Sequence, residues 1–525
     1  MRLLAVLFLL LTSFHCACSL KILVYILNLG KSHIDYMDSL IDALVERGHI
    51  VDVLMGKANS MVITNGTDKV RRRYVYGYLV DSPWSNLPHL VNPFKKPPRT
   101  YNSHKIFDEV TSGVCEIGLS DPEMHRWMSQ ETYDVGILSD FEFCGVAILE
   151  HYGIKTRAAA IALPLMDHQS IIMGLPNAAS VTQALFFVEN LETLSGRFYN
   201  LLRWMNNYYN MYLYYSVRQT KLVHKYLNTS LDLENLAKNY DIIFVNANEI
   251  VERPRPISHK VKYIGGINMK KPKPVNAELD RIMSISPKGI VIFSFGTQVG
   301  SSAFPIDVRK ALAKAFRRFP DYTFIWKYEK QDGDEKIFRN TTNLHFFNWL
   351  PQTDILYDKR TKGFISHVGL NSYLESSYAG VPIVAIPLFI DQPHNAESGR
   401  LSGTTYVLDK TKLTEENIVK GLDAILNDES YASNAHRIAK MLAERPNPAK
   451  QQFLEWVEFI AANPMLHKQL NQPGAEMGPF KYYCIDIILL IFVALIIMSY
   501  TTFKVFSIVF TTISKNVIIR KQKCE

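Results

Sequence analysis

Residues 365–395 read ISHVGLNSYLESSYAGVPIVAIPLFIDQPHN and gather the polar side chains best suited to holding a ligand. His367, Gly369 and Asn371 stand at the start of a run with helical spacing, and Asp391 and Gln392 follow the next apolar run at once. Gly380 and Pro382 end the helical run, and IVAIPLF reads as a short buried strand, so the polar residues lie at the two ends of an αβ unit. In an open α/β sheet those ends are where ligands bind. His33, in GKSH after the first apolar run, is a second candidate. Histidine suits proton transfer near neutral pH, although a lone loop histidine is ordinarily a surface residue. Signatures of other chemistries are missing: there is no H-E-x-x-H, G-x-S-x-G or Walker glycine loop, and the first strand leads into LNLGKSHID rather than G-x-G-x-x-G. A nicotinamide-dependent enzyme is therefore disfavoured, and no metal site is expected.

The elements that must position these residues alternate between strand and helix. KILVYILNLGKSHIDYMDSLIDALVERGHIVDVL reads as strand, loop, amphipathic helix and strand, with Gly48 ending the helix. YDVGILSDFEFCGVAILEHYG repeats the theme with a strand, a polar crossing and a helix. Residues 183–226 are aromatic and basic, open to reading as a lid, a membrane-contacting helix or an acceptor-pocket wall, and a packed helical insertion is preferred because tyrosine-rich helices are more often core than membrane anchors. YIGGINMKKPKPV is a Gly- and Pro-rich linker, after which GIVIFSFGT, DVRKALAKAFRRFP and YTFIWKYE give strand, helix and strand. The alternation calls for parallel sheets, and a chain of 525 residues for two such domains plus terminal elements. Helical segments within 430–471, including QQFLEWVEFIAA, are placed to fold back across the first domain.

Composition narrows the class. Apolar residues make up 47% of the chain, enough for a large core, and a formal charge of +8 is too modest at this length to argue for nucleic acid. Residues 1–19 have the basic start, apolar middle and small-residue end of a secretory leader. Near the other end IILLIFVALIIMSYTTF is long enough to cross a bilayer, and Lys515, Arg520, Lys521 and Lys523 follow it, which puts the tail in the cytoplasm and the body in the lumen. Cys115 and Cys144 are the only cysteines in the body, so one disulfide is the most the body can form. Asn65, Asn228 and Asn340 lie in N-x-S/T sequons that would face a glycosylating lumen. KQKCE at the end is similar to a dilysine retrieval signal of endoplasmic reticulum membrane proteins.

FNWLPQTDIL followed by FISHVGLNSYLESSYAGVPIVAIPLFIDQPHN closely resembles the donor-binding signature of the UDP-glycosyltransferases, the family that includes the UDP-glucuronosyltransferases. The likeness extends through YIGG, FSFGT, the FLEWVEF helix and the single C-terminal span, in family order. It implies an α/β fold of GT-B type, two facing Rossmann-like domains with a C-terminal transmembrane helix. The division implied is a leader at 1–19, an acceptor domain at 20–262, a UDP-sugar domain at 263–450, returning helices and a juxtamembrane segment at 451–483, the span at 484–510 and a basic tail at 511–525. The activity implied is inverting transfer of glucose or glucuronic acid from a UDP-sugar to a hydroxyl of a small lipophilic acceptor, as in detoxification at the endoplasmic reticulum membrane.

The resemblance also implies roles. The helix after Gly369 offers backbone N–H groups and its positive dipole end to a diphosphate, with His367 and Asn371 adding hydrogen bonds and no metal needed. Trp349 would stack on uracil, Gln352 bond its edge and Glu375 hold the ribose, while Asp391 and Gln392 hold sugar hydroxyls and Ser294, Gly296 and Thr297 line the opposite phosphate-facing turn. A carboxylate-bearing sugar would want a nearby cation, and the sequence assigns none. His33 matches the family's catalytic base. Its acidic partner is displaced: ungapped counting puts Ser139 at the family position and Asp140 one residue later, so a bulge must re-aim Asp140, with Glu142 as the fallback. Val368 stands where the family has a second glycine, which disfavours close backbone approach and weakens donor binding. These two departures keep open a catalytically silent, ligand-binding relative, and self-association is left open.

Overall fold

The computed structural model describes residues 19–86, 93–95, 103–139, 141–184, 189–297, 299–300 and 303–522. The expected leader up to residue 18, Asp140, and the last three residues with Lys523 lie outside the described residues.

Among the described residues, thirteen strands form two parallel sheets. The first has seven strands in the order β3-β2-β1-β4-β5-β6-β7, built from β1 (Lys21–Asn28), β2 (Ile50–Lys57), β3 (Arg72–Gly77), β4 (Val135–Ser139), β5 (Arg157–Ile161), β6 (Ile242–Val245) and β7 (Val261–Tyr263). The second has six in the order β10-β9-β8-β11-β12-β13, built from β8 (Gly289–Ser294), β9 (Tyr322–Lys327), β10 (Leu344–Phe347), β11 (Thr361–Ser366), β12 (Ile383–Ala385) and β13 (Thr405–Val407). Central strands such as ILVYILN in β1 are buried at every position, as parallel strands covered by helices on both faces must be. Between strands the helices follow the amphipathic pattern. Lys31–Arg47 buries Ile34, Met37, Leu40, Ile41 and Leu44 and ends at Gly48, whose φ of 99° is the left-handed turn that favours glycine.

The helix Ala449–Ala462 closes the first core although it follows the whole second sheet. Phe453, Val457 and Ile460 are fully buried in that core, with the Phe453 ring 4.9 Å from Phe244 of β6. The second sheet is covered largely by aromatic rings, among them Phe293 stacked on Trp326 at 4.4 Å and Phe316 on Phe324 at 4.1 Å. Cys115, in helix Ser103–Leu119, and Cys144, at the start of helix Cys144–His151, form a disulfide.

Helix Leu194–Met211 departs from the packed insertion expected of its tyrosines. Its buried side carries Gly196, Asn200, Asn207, Asn210 and Met211, while Leu194, Phe198, Leu201, Leu202, Met205 and Tyr209 are exposed. The asparagines bind inward, for instance Asn200 Nδ2 to Thr182 O at 2.9 Å and Asn207 Nδ2 to Asp167 Oδ2 at 3.2 Å, so hydrogen bonding rather than apolar burial sets which side faces in. Residues 472–525 form a separate unit with the helix Ile485–Gln522, of which Ile485–Asn516 is long and apolar enough to cross a membrane.

Candidate active site

Both sheets reverse their strand order once, and the candidate residues collect at those two places. In the first sheet β1 lies between β2 and β4, and in the second β8 lies between β9 and β11, the switch points outside whose carboxyl ends ligands bind in open α/β sheets. His33 follows β1. It belongs to the first turn of helix Lys31–Arg47 rather than to a loop, because the extended Gly30 lets the helix begin two residues after Leu29. Its ring lies 4.5 Å from that of Phe141, and Nε2 is buried without a hydrogen-bond partner among the described residues. Burial lowers its pKa to about 4, so the imidazole is neutral at pH 7 and able to accept a proton.

The neighbouring carboxyl end of β4 leads to the candidates for an acidic partner. Ser139 Oγ accepts a hydrogen bond from Leu27 N at 2.9 Å, which fastens it to β1. Glu142 accepts from the backbone N–H groups of Cys144 and Gly145 at the start of helix Cys144–His151 and interacts with Tyr25. Its carboxylate is therefore a helix cap, not a partner for His33, which removes it as the fallback. Asp140 lies outside the described residues.

At the second switch point Ser294 ends β8 and pairs in register with Ser366, which ends β11. Ser294 Oγ accepts from Gly296 N at 3.3 Å, and Thr297 beyond it is exposed. The His367 ring slots between two glycine turns. A Cβ on Gly296, whose φ is 66°, would stand 3.0 Å from His367 Cε1, and one on Gly369 would stand 3.0 Å from its Nε2. His367 Nδ1 is buried without a partner among the described residues, and burial together with the charge of Lys327 lowers its pKa to about 4.

Helix Leu370–Ala379 starts at Gly369, but its N-terminus is not wholly open. Leu370 N donates to Asp391 Oδ2 at 3.1 Å, and Asn395 Nδ2 donates to the same oxygen at 2.7 Å. Burial raises the Asp391 pKa to about 6 against those bonds. Gln392 Oε1 accepts from Leu388 N at 2.7 Å and Phe389 N at 3.1 Å, shaping the loop that presents both residues. Asn371 Oδ1 accepts from Asn268 Nδ2 at 3.1 Å.

Trp349 is exposed, with Lys327 Nζ 4.9 Å from its ring centroid. Glu375 is half-buried, desolvation raises its pKa, and it accepts from Gln352 Nε2 and from Thr353 Oγ1 at 3.1 Å, while Gln352 Nε2 also reaches Ser372 Oγ. Each carboxylate oxygen keeps a lone pair for a further donor.

The family described as UDP-glucoronosyl and UDP-glucosyl transferase matches residues 21–521. The chain belongs to this family. UDP-glucosyltransferase 2 of Dactylopius coccus is 26% identical over 466 residues, covering 87% of each chain. UDP-glucuronosyltransferase 1A6 of Homo sapiens is 26% identical over 488 residues, covering 90% of this chain and 88% of its own. The glycotransferase of kitacinnamycin superposes with a TM-score of 0.59 at 15% identity, over 84% of this chain and 99% of its own, which supports the GT-B fold. This UDP-glycosyltransferase is thus a glycosyltransferase using a UDP-sugar as co-substrate.

Three features of the UDP-glycosyltransferase site come from outside the signature. Lys327, at the carboxyl end of β9, donates to Gly296 O at 2.6 Å and supplies a cation between Trp349 and His367. Asn268, in the YIGGIN turn, reaches Asn371, and its Oδ1 is buried without a partner among the described residues. A pocket joins residues 163–167 after β5 to Arg255, Asp391 and His394, where His394 Nε2 pairs with Glu252. Burial opposes charge on both members, and their mutual attraction outweighs it, raising His394 and lowering Glu252. The pocket links the carboxyl ends of the two sheets.

Proposed function

We propose that this UDP-glycosyltransferase moves glucose or glucuronic acid from its UDP-sugar to a hydroxyl of a small lipophilic acceptor, with inversion. The observation that carries this reading is the half-buried, neutral His33 at the first switch point, whose Nε2 atom is buried with no protein partner among the described residues. The acceptor O–H proton passes to His33 Nε2 as the oxygen bonds to the anomeric carbon. The bond from that carbon to the diphosphate breaks, and its electron pair leaves on UDP. We propose Asp140, one residue past the family position in the sequence, as the acid that stabilises the protonated imidazole.

The diphosphate would sit between His367, the Ser294 to Thr297 turn and the start of helix Leu370–Ala379, where preorganised donors meet the developing charge. Lys327 adds a cation there, which the signature alone did not provide. Trp349 would carry uracil and Glu375 the ribose. Asp391 and Gln392 would meet sugar hydroxyls with their remaining hydrogen-bonding capacity, since each already holds backbone.

The acceptor domain corresponds to the first sheet with helix Ala449–Ala462, and the donor domain to the second sheet. Helix Ile485–Asn516 serves as a single anchor that leaves the body in the endoplasmic reticulum lumen. The three sequon asparagines Asn65, Asn228 and Asn340 are exposed, which supports that orientation. The test of mechanism is product stereochemistry: incubation with UDP-glucose or UDP-glucuronic acid and a phenol should give a β-glycoside by anomeric proton coupling. An α-glycoside would contradict inversion.

A further inference from the structure

The helix Leu194–Met211 has its polarity reversed, and nothing in the transfer reaction uses that reversal. Leu194, Phe198, Leu201, Leu202, Met205 and Tyr209 follow one stripe at helical spacing, and all are exposed. The opposite side, which packs on the body, carries Gly196 and three asparagines. From Leu194 to Tyr209 the stripe is about 23 Å long by the helical rise per residue. A helix in water gains by turning such a stripe inward. Here the inward hydrogen bonds of Asn200 and Asn207 fix the opposite orientation.

The charge pattern identifies what covers the stripe. Residues 194–227 contain Arg197, Arg203, Arg218, Lys221 and Lys225 and no aspartate or glutamate. Arg203, Arg218 and Lys225 pair with Glu189, Asp108 and Glu116 of neighbouring segments, while Arg197 and Lys221 form no ion pair with a described acid. Apolar and aromatic side chains on one face with basic residues and no acids along the run are the marks of a helix lying in a bilayer interface. Among the described residues the chain also holds one helix long and apolar enough to cross a membrane, which as an anchor would hold the body at a lipid surface.

We infer that helix Leu194–Met211 is an interfacial membrane helix, its stripe lodged among the headgroups and upper acyl chains of a bilayer containing anionic lipid. This rests on the anchor reading of Ile485–Asn516. A bilayer seat for this helix adds a second contact to the anchor and restrains the orientation of the body. The helix binds through Asn207 to Asp167, which lines the pocket beside Asp391, so the bilayer contact backs onto the wall of the cleft. A lipid-dissolved acceptor would then meet the enzyme close to where it is used.

The test uses the full chain in phosphatidylcholine and phosphatidylserine vesicles, with a fluorescent label on single cysteines in a C484S/C524S background. Labels go at Phe198, Met205 and Tyr209, at exposed Ile285 and Met441 as water-facing controls, and at Ile491 within the apolar helix as the anchor control. Expected is loss of most emission from positions 198, 205 and 209 with brominated lipid and protection from iodide, with the reverse at 285 and 441. Replacing phosphatidylserine by phosphatidylcholine should weaken the lipid quenching at 198 and 205. Quenching at 491 with water-like behaviour at 198, 205 and 209 would overturn the interfacial helix while leaving the anchor standing. Absence of lipid quenching at 491 would instead fail the anchor, and lipid quenching at 198 to 209 would then still establish the interfacial helix on its own. Iodide protection without lipid quenching that grows with protein concentration would assign the stripe to a second copy and overturn the inference.

Discussion

The donor side of the site is built from single side chains that converge from two strand ends and one helix start. His367, Asn371, Asp391 and Gln392 were legible because they share one short segment with fixed spacing. Lys327 was not, since it belongs to a strand 40 residues upstream of His367; its only signal is a cation directly after the apolar run YTFIW. Its position predicts that Lys327→Met raises the KM for UDP-sugar and weakens inhibition by UDP about tenfold, the loss of one charge-assisted contact. The same change should let the His367 pKa rise, because Lys327 helps to hold it down. Unchanged UDP inhibition would remove Lys327 from the donor site. Glu142 gives a stability prediction. Burial raises its pKa to about 7, above its unfolded value, so its contribution to stability is fully present below the ordinary carboxylate range and is lost as pH rises through about 7. Between pH 5 and 8 the protein should lose on the order of 3 kcal/mol on this account. Glu142→Gln should flatten that decline in denaturant midpoints, and an equal decline in both proteins would refute it.

Elements explain why the site sits where it does. The parallel order, the helix starts and the carboxyl-end placement of polar residues all follow from periodicity and turn residues. Local backbone detail does not. Seven described residues other than glycine have positive φ, and the two β-branched ones, Val368 at 55° and Ile390 at 56°, stand immediately before the donor-site segments that begin with Gly369 and Asp391. Such strain persists where surrounding structure over-determines it, and here Val368 is fully buried, its N–H bound to Ser366 Oγ and its C=O to Asn395. Glycine at 368 would relieve roughly 1–2 kcal/mol of backbone strain while giving up a similar amount of apolar burial. Val368→Gly should therefore be at least as stable as Val368→Ala, the reverse of their order at an ordinary helix site, and should lower the KM for UDP-sugar. A less stable glycine variant in thermal unfolding would show that the turn carries no strain.

At the scale of the whole molecule, contacts distant in sequence decide what cannot be read locally. QQFLEWVEFIAA is visibly an amphipathic helix, but its seat in the first core depends on a cavity made by β6 and its neighbours, 200 residues earlier. Phe453→Ala should cost about 3–5 kcal/mol of stability, as expected for a fully buried ring, and the first sheet should lose hydrogen-exchange protection before the second. A loss confined to the second sheet would contradict the placement. For the helix Leu194–Met211 the choice among a lid, a membrane contact and a packed insertion was not legible for a similar reason, since periodicity shows that a helix has two faces without saying which one a neighbour's hydrogen bonds will hold. Both sheets, with their switch points, serve one reaction, and the most direct test of that claim is UDP release by membranes carrying the protein, given UDP-glucose or UDP-glucuronic acid and a pool of phenols and sterols. Release should require acceptor, and His33→Ala should lower it by about 10²–10⁴ while UDP binding by calorimetry stays unchanged. Equal release from the His33→Ala protein would contradict the assignment of this residue as the base and with it the proposed mechanism.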